Sequence, residues 1–257
     1  MARTISIVSL VSIPLVKPRD NLARMIVEAT KREGVSINDD DVIAIAQKVV
    51  SKAEGRIVRL RDIKSSKEAE EIAKVTNKDP RLVDLILRET EKIVKVSPQI
   101  MIVEGKNGLM CVNAGIDKSN VQGSDAYALL PPDPDKSAQR IRSEIVKLTG
   151  KNVAVVICDT YSRPLRRAQV EHAIGIAGIA PFKDYIGQKD LFGYVLKVKK
   201  VAVADEIASA AELVMGQGNE AVPVAIIKNL KRIEWVEKTS AEDLLISRKE
   251  DLFTGTL

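Results

Sequence analysis

A chain of 257 residues is long enough to bury one large core or two modest ones, and 45% apolar with 29% charged residues excludes a collagen-like, low-complexity or disordered polymer. Aromatic residues make up only 3%, so the core must be Val, Ile, Leu and Ala, and the stacking surfaces that read single-stranded nucleic acid are scarce. Forty Lys and Arg stand against 35 Asp and Glu, a net charge of +5 carried in mixed runs such as Lys67-Glu68-Ala69-Glu70-Glu71, which reads as a solvated surface rather than a nucleic-acid face.

Ile5 to Val16 is mostly apolar behind Arg3, but three serines and Pro14 interrupt it, and no stretch of the chain approaches 18 unbroken apolar residues. A first strand at Ile5–Val8, a loop through Ile13-Pro14-Leu15-Val16 and a cytoplasmic protein are expected. Asp20 or Arg19 should open a helix with Leu22, Met25, Ile26 and Ala29 on one face and Gly34 at its end. A buried strand at Asp41–Ala46 leads into Gln47–Arg56, with a turn at Glu54-Gly55. Helices are predicted over Ser66–Val75 and, with Pro80 in the first turn, Arg81–Val94. Met101–Val103 and Leu109–Val112 form a hairpin about Asn107-Gly108. A long loop, Asn113–Asp135, precedes a helix at Lys136–Leu148 closed by Gly150. Val153–Cys158 is the most apolar strand, taken to end at Asp159. A helix from Ala204-Asp205 to Gly216, a strand at Val222–Ile227 and a terminal helix at Glu242–Leu252 follow. This is an α+β or mixed α/β pattern, not a regular βαβ alternation. Cys111 and Cys158 sit in apolar runs and read as reduced core residues.

Neither a Gly-x-x-x-x-Gly-Lys-Ser/Thr phosphate loop nor a Gly-x-Gly-x-x-Gly turn is present, and no Gly-x-Ser-x-Gly elbow. His172 is the only histidine and is read as structural. Asp159 and Thr160, at the rim of a sheet, offer the carboxylate and hydroxyl oxygens that suit Mg²⁺ or Mn²⁺. Asp117 and Asn120, in Asn113-Ala114-Gly115-Ile116-Asp117-Lys118-Ser119-Asn120, belong to an ordinary Asx-rich loop taken alone, and with the second carboxylate of Asp159 this loop gives a candidate pair of metal ligands. Arg163, Arg166 and Arg167 crowd after Asp159, and Lys52 and Arg56 flank a turn, as an anionic substrate would require. Met215-Gly216-Gln217-Gly218-Asn219-Glu220 ends a helix in an open, backbone-exposed turn.

Taken together, Ile13-Pro14-Leu15-Val16, Val50-Ser51-Lys52-Ala53-Glu54-Gly55-Arg56, Val112-Asn113-Ala114-Gly115-Ile116-Asp117 with Ser119-Asn120-Val121, Asp159-Thr160 and Ala204-Asp205-Glu206-Ile207-Ala208 with Met215-Gly216 resemble the coenzyme F420-0:γ-glutamyl ligases, collinearly from about Ile13 to Ile227. The resemblance implies an α+β fold of mixed sheets with packed helices, neither Walker-type nor Rossmann, as a single unit over 1–257 with two intertwined subdomains. It also implies a homodimer using GTP, two divalent cations (Mg²⁺ or Mn²⁺) and K⁺, with L-glutamate and coenzyme F420-0 as the other substrates and neither nucleic acid nor membrane as a partner. Carried over residue by residue, Asp117 and Asp159 would hold one metal, and Thr160 and Gln217 would stand at the second. The nucleotide would meet Ile13, Pro14, Leu15, Val16, Gln47, Lys48, Lys52, Asn120 and the turn Met215, Gly216, Gln217, Gly218, Asn219, Glu220, Ala221 and Val222. Gln217 stands where family members can carry an acidic residue, so its neutral carbonyl oxygen implies a weaker second cation. The implied chemistry is phosphorylation of a carboxylate to an acyl phosphate followed by attack of the glutamate amine, then a further γ-linked glutamate. The competing readings are a deazaflavin- or flavin-binding redox or accessory protein and a basic nucleic-acid-binding protein.

Overall fold

Short runs of β-branched and small apolar residues, each too brief for a helix, make the sheets of this chain, and longer 3.6-periodic stretches make its helices. The computed structural model describes residues 4–162, 166–231, 233–247 and 249–251. They divide into two compact units, one drawn from Met1–Pro14, Asn21–Ala46 and Pro134–Leu257, the other from Leu15–Asp20 and Gln47–Asp133. The class is α+β.

In the first unit a five-stranded sheet runs in the order Ser6–Ser9, Val224–Lys228, Val42–Ala46, Ala154–Ser162, Gln169–Ala177. All neighbours are antiparallel except Val42–Ala46 beside Ala154–Cys158, which pair in parallel. Val42, Ala44, Val156 and Ile227 pack with Ile207, Ala211 and Met215 of the helix Val203–Met215. The alternate residues Ile43, Ile45, Val155 and Ile157 are equally buried, and the helix Pro134–Thr149 lies against the last two strands. A sheet covered on both faces needs strands apolar throughout, which is why the central ones show no polar alternation. The helix Leu22–Glu33 packs on Pro134–Thr149.

In the second unit, helices Lys67–Thr76 and Pro80–Arg88 close over a three-stranded antiparallel meander, Thr90–Ser97, Ile100–Gly105 and Met110–Val112, with Ala69, Val83, Ile86, Met101, Val103 and Ile116 in the core. A helix at Gln47–Ala53 and a two-stranded ribbon, Ile57–Arg59 with Ala126–Ala128, complete it.

Several elements differ from expectation, among them the strand Gln169–Ala177, which the sequence reading does not contain, and Ala126–Ala128, a strand inside the expected loop. The helix predicted to Val94 stops at Arg88, because Thr90, Ile93 and Val96 are β-branched and pair in a strand instead, with Val94 at a register irregularity. The N-cap of the first helix is Asn21, whose side chain accepts the Arg24 N–H, not Asp20 or Arg19. The strand predicted to end at Asp159 continues to Ser162, since Asp159 and Thr160 still pair with His172 and Glu171. Of the terminal helix, only a 3₁₀ turn at Ala241–Leu244 forms among the described residues, and Leu252 lies outside them. Both cysteines are buried, and neither is in a disulfide.

Candidate functional site

Within the second unit, the helix Gln47–Ala53 and the loop after Met110–Val112 meet through one lysine. Lys48 Nζ donates to Asp117 Oδ2, to the Ser119 carbonyl at 2.9 Å and to Ser119 Oγ at 2.6 Å. Ser119 in turn donates its N–H to Asp117 Oδ1 (2.8 Å) and its hydroxyl to Oδ2 (2.6 Å). Burial alone would raise the Asp117 pKa, but the Lys48 and Ser119 hydrogen bonds outweigh it and the carboxyl is held below its ordinary range. Lys52, one helical turn on, has its pKa lowered by burial and by the charge of Lys48. Gln47 is buried and accepts from the Ser51 hydroxyl at 2.9 Å. The loop is shaped by left-handed Asn113, Ala114 and Gly115, by the Asn113 Oδ1 bond from Met101 N, and by the bridge between Asp117 and Ala128. Asn120 is exposed with φ 53°. Of the first loop, Val16 is buried and Leu15 exposed in this unit, while Ile13 (buried) and Pro14 (exposed) belong to the other.

Within the first unit, Thr160 and Glu171 face each other across the antiparallel pair Ala154–Ser162 and Gln169–Ala177. The Thr160 hydroxyl lies 2.9 Å from both Glu171 Oε2 and Gln217 Oε1, and Gln217 Nε2 donates to Glu171 Oε2 at 3.0 Å. Gln217 reaches this position because the helix Val203–Met215 is pinned by buried Met215 and ends at Gly216, with the turn beyond it folded onto Glu220, whose Oε2 accepts the Gly218 N–H at 2.7 Å. Asn219 and Ala221 are exposed and Val222 half-buried. Burial pushes the Glu171 carboxyl pKa up and nearby Glu212 adds to the rise, against hydrogen bonds from Thr160, Cys158 and Gln217. The Cys158 thiol is raised far by the same burial. Asp159 is half-buried beside Thr160, in register with His172. His172 stands edge-on to Tyr161 with its Nδ1 3.1 Å from the Val170 carbonyl, a structural placement in keeping with expectation. Arg166 and Arg167 are exposed, and Arg163 lies outside the described residues.

The structure therefore gathers Lys48 with Asp117 in one unit and Thr160, next to Asp159 in the chain, with Gln217 in the other. Among the described residues no group of three or more His, Cys, Asp or Glu could hold a metal ion, so any cation here would be held by mixed carboxylate, hydroxyl and amide oxygens. Sequence reading missed Glu171. The available signal was an acid alone in the apolar run Val170–Ala177, at the spacing of a strand pairing with Asp159-Thr160. It also missed that Ser119 ties Lys48 to Asp117.

A family model described as F420-0:Gamma-glutamyl ligase matches residues 10–229. The chain is 43% identical over 251 residues, 98% of its length and 99% of the relative's, to the Coenzyme F420:L-glutamate ligase of Methanothermobacter thermautotrophicus. It is 46% identical to the enzyme of the same name from Methanocaldococcus jannaschii, covering 84% of this chain and 86% of that one. With the Methanopyrus kandleri enzyme, also so named, it shares 44% over 93% of each chain. No helix among the described residues is long and apolar enough to cross a membrane.

Proposed function

The chain belongs to the F420-0:γ-glutamyl ligase family, and on that premise we propose that it is a GTP-dependent ligase that joins L-glutamate to the terminal carboxylate of coenzyme F420-0 and then adds a further γ-linked glutamate. The observation that carries this reading is the collinear identity over nearly the whole of both chains, with Lys52, Asp117, Asp159 and Thr160 standing in the blocks that define the resemblance.

A free carboxylate is a poor acyl donor because its leaving group would be an oxide. Attack of the F420-0 carboxylate oxygen on the γ-phosphorus of GTP forms a C–O–P bond and releases GDP. The glutamate α-amine then attacks the acyl carbon, the C–O bond to phosphate breaks, and inorganic phosphate and one proton leave as the amide forms. Both partners of the first step are anions, so charge must be neutralised where they meet. Lys52 would hold a phosphate, and Arg166 and Arg167 with Arg163 an acidic substrate.

The residues fit divalent cations. Asp117 spends three of about four acceptor sites on Lys48 and Ser119 and keeps one. Thr160 Oγ1, with Gln217 Oε1 and Glu171 Oε2 each 2.9 Å from it, forms a hard-oxygen set. Asp117 and Asp159 would each offer a carboxylate to Mg²⁺ or Mn²⁺, and Thr160 and Gln217 would hold the second divalent ion, with K⁺ as the monovalent ion; bound, the divalent ions would withdraw charge from the phosphates. A homodimer is part of the proposal, supported by a hairpin tip that leaves Leu191 97% and Phe192 96% exposed.

Incubation with GTP, Mn²⁺, L-glutamate and F420-0 should give products heavier by one and then two glutamyl residues, with GDP in equal amount. No mass increase with any nucleoside triphosphate overturns the ligase reading, and an increase with ATP but not GTP overturns the nucleotide. Asp159→Asn should abolish GDP formation with an unchanged melting temperature; unchanged turnover removes Asp159 from the metal site.

A further inference from the structure

Glu171 is only 3% exposed, and both side chains hydrogen-bonded to its Oε2, Thr160 and Gln217, are neutral. Among the described residues it forms no ion pair, and the charge of Glu212, another carboxylate, acts against its ionisation. An anion this deep needs a counter-charge, and none of the described residues supplies one. The hydrogen bonds also have a direction. The Thr160 hydroxyl has a single proton and two acceptors at 2.9 Å, Glu171 Oε2 and Gln217 Oε1. Given to Glu171, that proton leaves the lone pairs of Thr160 Oγ1 free. Because Glu171 also takes the Gln217 N–H, the amide is fixed with its carbonyl oxygen toward Thr160.

We infer that Glu171 is the positioning residue of the second cation's seat: it turns the oxygens of Thr160 and Gln217 toward a divalent cation and contributes the negative charge that those two neutral ligands lack. The inference rests on the ligase reading for the presence of that cation. Glu171 acts through its neighbours, as outer carboxylates do at metal sites, where their loss weakens binding about 10–100-fold. It also answers the neutrality of Gln217: the acidic charge stands one hydrogen bond behind the ligand.

The test is Mn²⁺ titration of the full chain, with and without GDP, followed by the free-ion EPR signal, alongside melting temperatures with and without Mn²⁺. Glu171→Gln keeps the size and the Thr160 acceptor but removes the charge, and should weaken one class of Mn²⁺ at least about tenfold, leave the other, and leave the metal-free melting temperature in place. Glu171→Asp should retain more of the affinity. The exchange Glu171→Gln with Gln217→Glu, which returns a carboxylate to the cluster, should restore it; a merely structural role would not respond to that exchange. Should Glu171→Gln fail to fold, the aspartate and exchange variants carry the comparison. Unchanged Mn²⁺ affinity in Glu171→Gln, no recovery in the exchange, or no Mn²⁺ uptake by the wild type overturns the inference. Glutamyl addition, read by mass, reports separately on the ligase: wild-type ligation with indifferent Glu171 variants sinks only this inference, and loss of Mn²⁺ in Glu171→Gln without wild-type ligation sinks only the ligase.

Discussion

Asp117 and Glu171 meet the problem of a carboxylate drawn out of water in opposite ways. Asp117 is surrounded by donors, one of them a lysine, and stays ionised; Glu171 has neutral donors only. Lys52 is the mirror image on the cationic side. It is half-buried, and the neighbouring Lys48 ammonium, already spent on Asp117 and Ser119, disfavours its charge. An anion arriving at Lys52 relieves both effects. Lys52→Met should therefore raise the KM for GTP by about tenfold or more, the worth of one charge-assisted contact, with a smaller change in kcat; a normal KM would remove Lys52 from the nucleotide site. Gly115 sets the Asp117 loop more bluntly. Its φ is +68°, and a Cβ there would lie 2.6 Å from Cδ1 of buried Leu130. Gly115→Ala should lose about 2–4 kcal/mol, from left-handed strain together with overpacking, measured by urea unfolding.

At the scale of elements, Asp84 is a joint. It sits in the helix Pro80–Arg88, 6% exposed, and accepts the Ser66 N–H at the start of the helix Lys67–Thr76 as well as Arg88 Nε at 2.7 Å. Burial would raise its pKa, but the Ser66 and Arg88 interactions prevail and the folded-state value lies below the ordinary 3.8. A depressed carboxylate adds stability that is fully present above the unfolded-state pKa and is lost as pH falls through the folded one. Asp84→Asn should thus destabilise by about 1–3 kcal/mol at pH 7, and the gap from wild type should narrow in acid below the usual aspartate range. A constant gap from pH 7 to pH 2 would contradict the linkage. The same elements show what could be read in advance. The helix Leu22–Glu33 was legible because its apolar spacing and Gly34 agree, and the strand beginning at Ala154 because the six consecutive apolar residues Val153–Cys158 admit little else. Pro80–Arg88 was over-extended because Ile93 and Val94 fit a helical stripe as well as a strand, and only pairing with Ile100–Gly105 decides. Gln169–Ala177 was missed since Gly175 looks like a breaker. There the reason is packing: a Cβ at Gly175 would lie 2.5 Å from the backbone C and O of Pro134, where the helix Pro134–Thr149 crosses the strand. Asp159 and Thr160 were found as polar residues ending an apolar run, whereas Glu171 depends on register, which one sequence does not display.

For the molecule as a whole, the segment from Tyr185 to Lys199 poses the remaining question. Its hairpin is well tied: Lys189 bridges Val195, and Asp190 Oδ1 accepts the N–H groups of Phe192 and Tyr194 at 2.8 and 2.9 Å. That turn nevertheless holds Leu191 and Phe192 almost wholly in water, with Val198 87% exposed beside them. Burying a side chain of this size is worth about 1.5–3 kcal/mol, so an ordered tip carrying two of them is a surface with unspent association energy. Lys189, Lys197 and Lys199 flank it in the sequence, which favours an acidic receiving face. A second copy is the occupant consistent with the proposed homodimer. Light scattering at micromolar concentration should give about twice the chain mass of 28.1 kDa. The double substitution Leu191→Ser with Phe192→Ser should return the single-chain mass while leaving the circular dichroism unchanged, because neither side chain supports the core of its own unit. A wild-type protein that scatters as a single chain would remove the dimer, and a double variant that stays dimeric would place the interface elsewhere on the surface.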